Sequence, residues 1–228
     1  EGTFNRTEAS RIIEPFALES GGSTGIFPAS GLMPIEHRVL DEQGNVAVVQ
    51  NPLVPQAIFD AARDNDGDGL RDIGFARRLA EVGNRTGSTS RDFFRFVVGF
   101  DGTLFDDRFN WDVSYNYGKT IENQVSSGQV NVANFRDGLS VMVDVDDVNG
   151  NGSTSDYVCT SAEARANGCV PVNIFGAGNI SPEALAYIDA QGTFQTENTQ
   201  QVVQANLSGE LFQLPAGPVG IAPGVEDR

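Results

Sequence analysis

Lysine is nearly absent: Lys119 is the only one in 228 residues, and 15 basic residues face 31 acidic ones. The formal charge of −16 excludes a nucleic-acid surface, which needs a basic stripe to displace counterions from phosphate. It suits a calcium-loaded extracellular or cell-surface protein. Histidine is as scarce. His37 stands alone in the charged run Glu36-His37-Arg38 and reads as a surface side chain, not a base or a ligand. No apolar run approaches the roughly 18 residues of a membrane helix. Glu1-Gly2-Thr3-Phe4 has neither a basic n-region nor an apolar h-region, so no signal peptide is expected, which fits a cytosolic protein, a processed one or a fragment. Nucleophile motifs, phosphate loops and zinc spacings are missing. Carboxylates are plentiful, but abundance does not define a glycosidase, and the chain is not expected to be an enzyme.

Cysteine is limited to Cys159 and Cys169, in a Gly/Ala/Ser-rich segment with no histidine nearby to complete a zinc site. The spacing closes a small loop, and a local disulfide formed in an oxidising compartment is preferred over two free thiols.

Glycine (26) and phenylalanine (15) are abundant, which favours strands and turns over helices. In Phe109-Asn-Trp111-Asp-Val113-Ser-Tyr115-Asn-Tyr117-Gly118 every odd position is aromatic or apolar and every even one polar or glycine. Successive side chains of a strand point to opposite faces, so this strand has one greasy face and one wet face. Just upstream, Phe94, Phe96, Val98 and Phe100 share a side, and the two runs read as a hairpin within 88–119. A second hairpin is predicted in 200–228. There Val203, Ala205, Leu207, Gly209 and Leu211 alternate with polar residues before Pro215-Ala-Gly217-Pro218, and Val219, Ile221, Pro223 and Val225 follow.

Two long irregular stretches, 10–87 and 120–199, separate these hairpins. Loops beyond about 15 residues are uncommon in compact domains and usually functional. The first is expected to hold a small hairpin, Glu36 to Gln50, turning at Glu42-Gln-Gly44-Asn45. A short helix follows, from Asn51-Pro-Leu-Val-Pro55 through Ala62, with Asn51 as its cap. The second holds a helix over Ser181–Ile188, capped by Ser181 with Pro182 in its first position. Short turns thus alternate with very long connections. Outer-membrane barrels are built this way, with strands of about 10 residues, apolar outside and polar inside, and aromatic girdles. A soluble β-sandwich explains the alternation equally well, but the loop asymmetry and the crowding of aromatic residues on one face less well.

Several blocks resemble the middle of TonB-dependent outer-membrane receptors. These are Asn51-Pro-Leu-Val-Pro55, Phe75-Ala-Arg-Arg-Leu79-Ala-Glu-Val-Gly83-Asn-Arg-Thr86, the Arg91–Phe100 and Phe109–Gly118 strands, and Gly128-Gln-Val-Asn131. Gly168-Cys-Val-Pro-Val-Asn-Ile-Phe-Gly176, Ile180-Ser-Pro-Glu-Ala-Leu-Ala-Tyr187 and Leu211-Phe-Gln-Leu-Pro-Ala-Gly-Pro218 follow in the family's order. The resemblance implies an all-β chain: antiparallel strands of a 22-stranded transmembrane barrel, with long extracellular loops containing short helices. It implies a bacterial outer-membrane location. Phe94, Phe96, Phe100, Trp111, Tyr115 and Tyr117 would face lipid. It also implies import of a scarce ligand (siderophore, vitamin, metal complex or glycan) powered by a TonB-type partner through a plug. The plug, its coupling box and a closing strand are not seen in this sequence, so residues 1–228 are expected to be part of such a barrel. The rival is a soluble secreted calcium-binding β-domain for adhesion or carbohydrate contact.

Asp64-Asn-Asp66-Gly-Asp68-Gly-Leu-Arg-Asp72 is the sharpest candidate site. Carboxylates at alternate positions with glycine for the turn match the first half of a calcium loop, although position twelve is Phe75 in place of the EF-hand glutamate. Asp144-Val-Asp146-Asp147-Val-Asn149-Gly-Asn151, with Asp156 beyond, is a looser version, so calcium is the one candidate cofactor.

Overall fold

The structure is a computed structural model that describes residues 1–21, 26–27, 29–40 and 44–228. The first strand is β1 (Gly2–Ile13); the short strands β2 (Ala17–Glu19), β3 (Met33–Pro34), β4 (Glu36–Leu40) and β5 (Val46–Gln50) follow. Helix α1 (Gln56–Ala61), β6 (Asp72–Ile73), β7 (Ala76–Arg78) and a 3-10 turn at Ala80–Val82 lead to the long strands β8 (Arg85–Leu104) and β9 (Phe109–Val130). Then come α2 (Val132–Leu139), β10 (Val141–Val143), β11 (Tyr157–Cys159), α3 (Ala162–Ala166) and α4 (Pro182–Ile188). The strands β12 (Asp189–Leu214), β13 (Gly217–Ile221) and β14 (Gly224–Asp227) complete the series.

The chain is mostly β with antiparallel sheets, the expected class, and the main sheet is open, not closed into a barrel. Two compact units divide it: Glu1–Arg11 with Gly87–Val125 and Thr193–Arg228, and Ile12–Thr86 with Ser126–Gly192.

The first unit is carried by the main sheet, ordered β1-β8-β9-β12-β13, with β14 also paired to β12. Glu1 and Val97 exchange both backbone hydrogen bonds at 2.8 Å, the mark of an antiparallel pair. Strands β8, β9 and β12 have 20, 22 and 26 residues, about twice the length the alternation alone predicts. Strand β1 was not foreseen, since its exposed polar residues lack an apolar alternation. The ranges 10–87 and 120–199 are correspondingly not all loop: β1 runs to Ile13, β9 to Val130, and β12 starts at Asp189. The β8–β9 turn places Phe105, Asp106 and Asp107 at positive φ, braced by the Thr103 hydroxyl donating to Asp107 at 2.6 Å. Leu214 pairs with Gly217 across a two-residue turn, as predicted, and a bulge lies between Glu210 and Phe212. One extra residue reverses the alternation, so Phe212, opposite Val219, returns to the face of Gly209, opposite Ile221. Gly209 is needed where it stands. A Cβ there would lie 2.5 Å from the Phe109 ring and closer still to the Arg108 carbonyl.

The second unit contains the hydrophobic core, built around Leu18, Met33, Ile35, Leu79, Phe135, Leu139, Val172 and Ile188, each at most 1% exposed. Two-stranded sheets (β2·β7, β3·β6, β4·β5 and β10·β11) frame it. The β4·β5 hairpin forms over Glu36–Gln50 as predicted, though Glu42 and Gln43 of its turn lie outside the described residues. Helix α4 also forms as predicted: the Ser181 hydroxyl accepts from Ala184 N at 3.1 Å, with Pro182 in the first position. The two helices not foreseen also have side-chain caps, Asn131 on α2 and Ser161 on α3. Asn51 does not cap α1, which begins beyond Pro55 without a side-chain cap. Asn51 is instead buried, donating to the Leu139 carbonyl at 2.7 Å and accepting from Leu53 N at 3.1 Å. It ties the segment before α1 to the end of α2. Gly138 permits the close approach of the 170–172 segment, since a Cβ there would meet Val172 at 2.5 Å.

His37 is 8% exposed, so the expectation of a surface histidine fails: β4 turns it inward opposite Val49. Its Nε2 has no hydrogen-bond partner among the described residues, and burial pushes its pKa down to about 4.

Candidate functional site

Three regions were expected to carry function. On the sheet, Phe94 and Tyr117 touch across β8 and β9, ring centroids 6.3 Å apart. By strand alternation Phe96, Val98 and Phe100 share the face of Phe94, and Val113, Tyr115 and Trp111 that of Tyr117. The ring of Trp111 lies over Gly102 of β8, where a Cβ would meet its Nε1 at 3.0 Å. Phe94, Phe96 and Phe100 are 46%, 42% and 67% exposed, and Trp111, Tyr115 and Tyr117 are half-buried. No hydrophobic side chain of this unit belongs to the buried core. The face is therefore apolar and uncovered.

The same face changes character along the strands. Beyond Phe94 and Tyr117 it carries two ion pairs, Arg6–Asp92 and Lys119–Glu197, each at 2.7 Å. At the turn end Phe105 packs edge-on against Phe109, centroids 6.1 Å apart. The opposite face is mainly polar, with Phe93 and Val97 among its residues: Arg91–Glu122 pair at 2.7 Å, Arg95 donates to Asn116 at 3.1 Å, and Asn206 donates to Asp112 at 2.9 Å.

In the first acidic run, one carboxylate oxygen each of Asp64, Asp66 and Asp72 lie within 4.8 Å of one another, the one group of this kind among the described residues. Asp64 accepts from Gly67 N at 2.7 Å and Gly69 N at 3.0 Å, which folds the turn around it. Asp72, buried, accepts from Asn65 N and Nδ2 at 2.9 and 2.6 Å. Asp68 is not gathered with them. Its carboxylate accepts from Leu70 N at 2.8 Å, and Arg38 holds its carbonyl. A cluster of hard oxygens with spare lone pairs fits the chemistry of calcium, which takes 6–8 such ligands.

The second acidic run is not gathered into such a group. Asp144 is buried and accepts from Val148 N and Asn149 N at 2.8 and 3.2 Å. Asn149 and Asn151 turn their amides to Asp156 at 2.9 and 2.7 Å, and their oxygens accept from Asn151 N and Ser153 N. Those amides hold the Asp156 carboxyl below the usual carboxylate range. Asp146 stands apart and exposed. The run is a self-bonded turn, and Asp147, which accepts from Gly152 N at 3.0 Å, belongs to it.

Cys159 and Cys169 form a disulfide, S–S 2.04 Å, as predicted. It closes the loop that carries α3, an entropic restraint of about 3 kcal/mol for a loop this size. Arg165 of α3 donates to the Cys159 and Thr160 carbonyls at 2.7 and 2.9 Å. A cavity of about 660 Å³ opens between β4–β5, β10 and α3 and includes Arg38, Arg165 and Asp146 in its walls. Neither it nor the Arg77 clamp was foreseen. Arg77 holds the Ile174 and Gly176 carbonyls and Glu81, and Glu81 also accepts from Gly178 N at 3.0 Å. Burial alone would raise the Glu81 pKa; the backbone amides and Arg77 bring it below the usual carboxylate range. Single arginines in a chain carry no spacing signal, so such clamps are invisible before folding.

No family model, curated protein or solved structure matches the chain.

Proposed function

We propose that the chain is part of a TonB-dependent outer-membrane receptor, its main sheet a section of barrel wall and its second unit the ligand-facing extracellular loops. The observation that carries this reading is the uncovered apolar face of a sheet without a buried core. A single-layer sheet with one greasy face has no stable place in water and needs a second layer or lipid. A β-sandwich would supply the second layer, and the exposure of Phe94, Phe96 and Phe100 counts against one.

The dimensions support lipid. From Phe94 to Leu104 the apolar run covers ten residue steps of β8, about 33 Å along the strand, or about 25 Å of height at the tilt of a barrel. That is the thickness of the apolar band of an outer-membrane barrel. The ion pairs Arg6–Asp92 and Lys119–Glu197 fall just beyond it on the same face, where headgroups and water begin. The polar opposite face would line the interior. The remaining length of β8, β9 and β12 would extend beyond the membrane. Open sheet edges cannot face lipid, so further strands would continue the wall on both sides. Import would need the plug and the energy-coupling partner of such receptors. Calcium would be held by Asp64, Asp66 and Asp72 and would stiffen the loop they close.

Trp111 is the only tryptophan of the 228 residues, so once any tryptophan outside them is replaced its fluorescence reports one place. In vesicles of brominated phospholipid, the protein carrying this chain should show strong quenching, greatest with bromines near the headgroups because Trp111 lies close to the turn. Unquenched emission from a correctly inserted protein would sink the reading.

A further inference from the structure

The geometry points to the cavity between the β4–β5 hairpin, β10 and α3 as a binding site for a short zwitterionic peptide with aliphatic side chains. This deepens the reading of the second unit as ligand-facing, and rests on it for its biological role. The volume, about 660 Å³, falls within the range of small-ligand sites. The walls are mainly aliphatic, from Val39, Leu40, Val49, Met142, Val143 and Val145, with charges of both signs among them. Leu40 and Val145 are 71% and 65% exposed, so the rim holds apolar surface in water that a branched aliphatic side chain would cover.

The charges divide into committed and available groups. Asp144 is satisfied by the Val148 and Asn149 amides, and Arg38 is tied to Asp68 twice, through the carbonyl and through an ion pair with the carboxylate at 3.9 Å. Arg165 gives one terminal nitrogen to the Cys159 and Thr160 carbonyls, which fixes its guanidinium and leaves its other donors for a ligand. Asp146 is exposed, with no ion pair among the described residues. One available cation and one available anion around an aliphatic chamber match a carboxylate, an ammonium and the apolar side chains between them. A ligand neutral overall also escapes repulsion by a chain of charge −16, which a fatty-acid anion would not. The Cys159–Cys169 disulfide closes the segment holding Arg165, so the floor of the site is covalently set.

The test is calorimetric titration of the detergent-solubilised protein with trileucine, its N-acetyl and C-amide forms, and triglycine. Trileucine should bind, each blocked terminus should weaken binding at least tenfold, and triglycine should not bind. Asp146→Asn, on an exposed side chain, should remove the penalty of N-acetylation alone. Arg165→Gln should remove that of C-amidation, with circular dichroism checking that the loop unit stays folded. Absence of trileucine binding, indifference to blocked termini, or equal binding of triglycine would overturn the proposal. Trp111 quenching is measured without any peptide, so the receptor reading and the peptide site fail separately.

Discussion

At the scale of single residues, burial sets the chemistry more than residue type does. His37 lies in a charged run yet ends buried with Nε2 unpaired, because strand alternation turns it inward between half-buried Glu36 and exposed Arg38. Its folded pKa of about 4 is below the unfolded value of 6.5. The unfolded chain then binds more protons between these pH values, so stability is full above about 6.5 and falls as pH drops toward 4. The loss amounts to at most about 3 kcal/mol. Chemical denaturation of the protein at pH 7 and pH 4.5 should show it, and His37→Leu should flatten the difference. An unchanged profile in that variant would assign acid sensitivity to Glu81 and Asp156, whose folded pKa values are lowered.

At the scale of elements, the two faces of β8 make opposite demands. Val98→Arg places a charge near the middle of the apolar band and should cost about 2–4 kcal/mol in a bilayer. An arginine is accommodated on the other face, where Arg95 is bonded to Asn116. Urea titration of vesicle-inserted protein measures the cost, and a change below about 0.5 kcal/mol would argue that this face does not meet lipid. The Asp64–Asp72 turn makes a different prediction. Three converging carboxylates repel one another, and a bound divalent ion removes that repulsion. Chelation should speed proteolytic nicking between Asp64 and Asp72, and Asp66→Asn should mimic it without chelator. Equal rates with and without calcium would mean that Asp64 and Asp72, each already bonded to backbone amides, hold the turn unaided. The spacing of this run was legible in the sequence. The exclusion of Asp68 was not, because Arg38, thirty residues away, decides it.

At the scale of the whole molecule, the chain joins one unit that buries a core and one that buries almost nothing. Water alone should not sustain the second kind. In sedimentation experiments the 228-residue chain should remain dispersed in detergent and associate without it, through its apolar face and the open edges at β1 and β13–β14. A monomer in plain buffer would contradict the barrel-wall assignment.

The β class, the three hairpins, the Ser181 cap and the disulfide pair were legible from the chain, because each depends on neighbours within a few residues or on strict alternation. The lengths of β8, β9 and β12 were not, since above the apolar band their pairing rests on polar residues with no periodic signature. The second acidic run reads as a cation loop, and its internal bonding was not legible: the Asn149 and Asn151 amides both donate to Asp156, five to seven residues on. Asn51 reached Leu139, His37 turned inward, and Arg165 came to the wall of a cavity through contacts local order does not encode. Period-two alternation determined by itself which face of the sheet is apolar. That nothing covers this face was decided only by tertiary structure, because burial is a property of what packs against a strand and not of the strand.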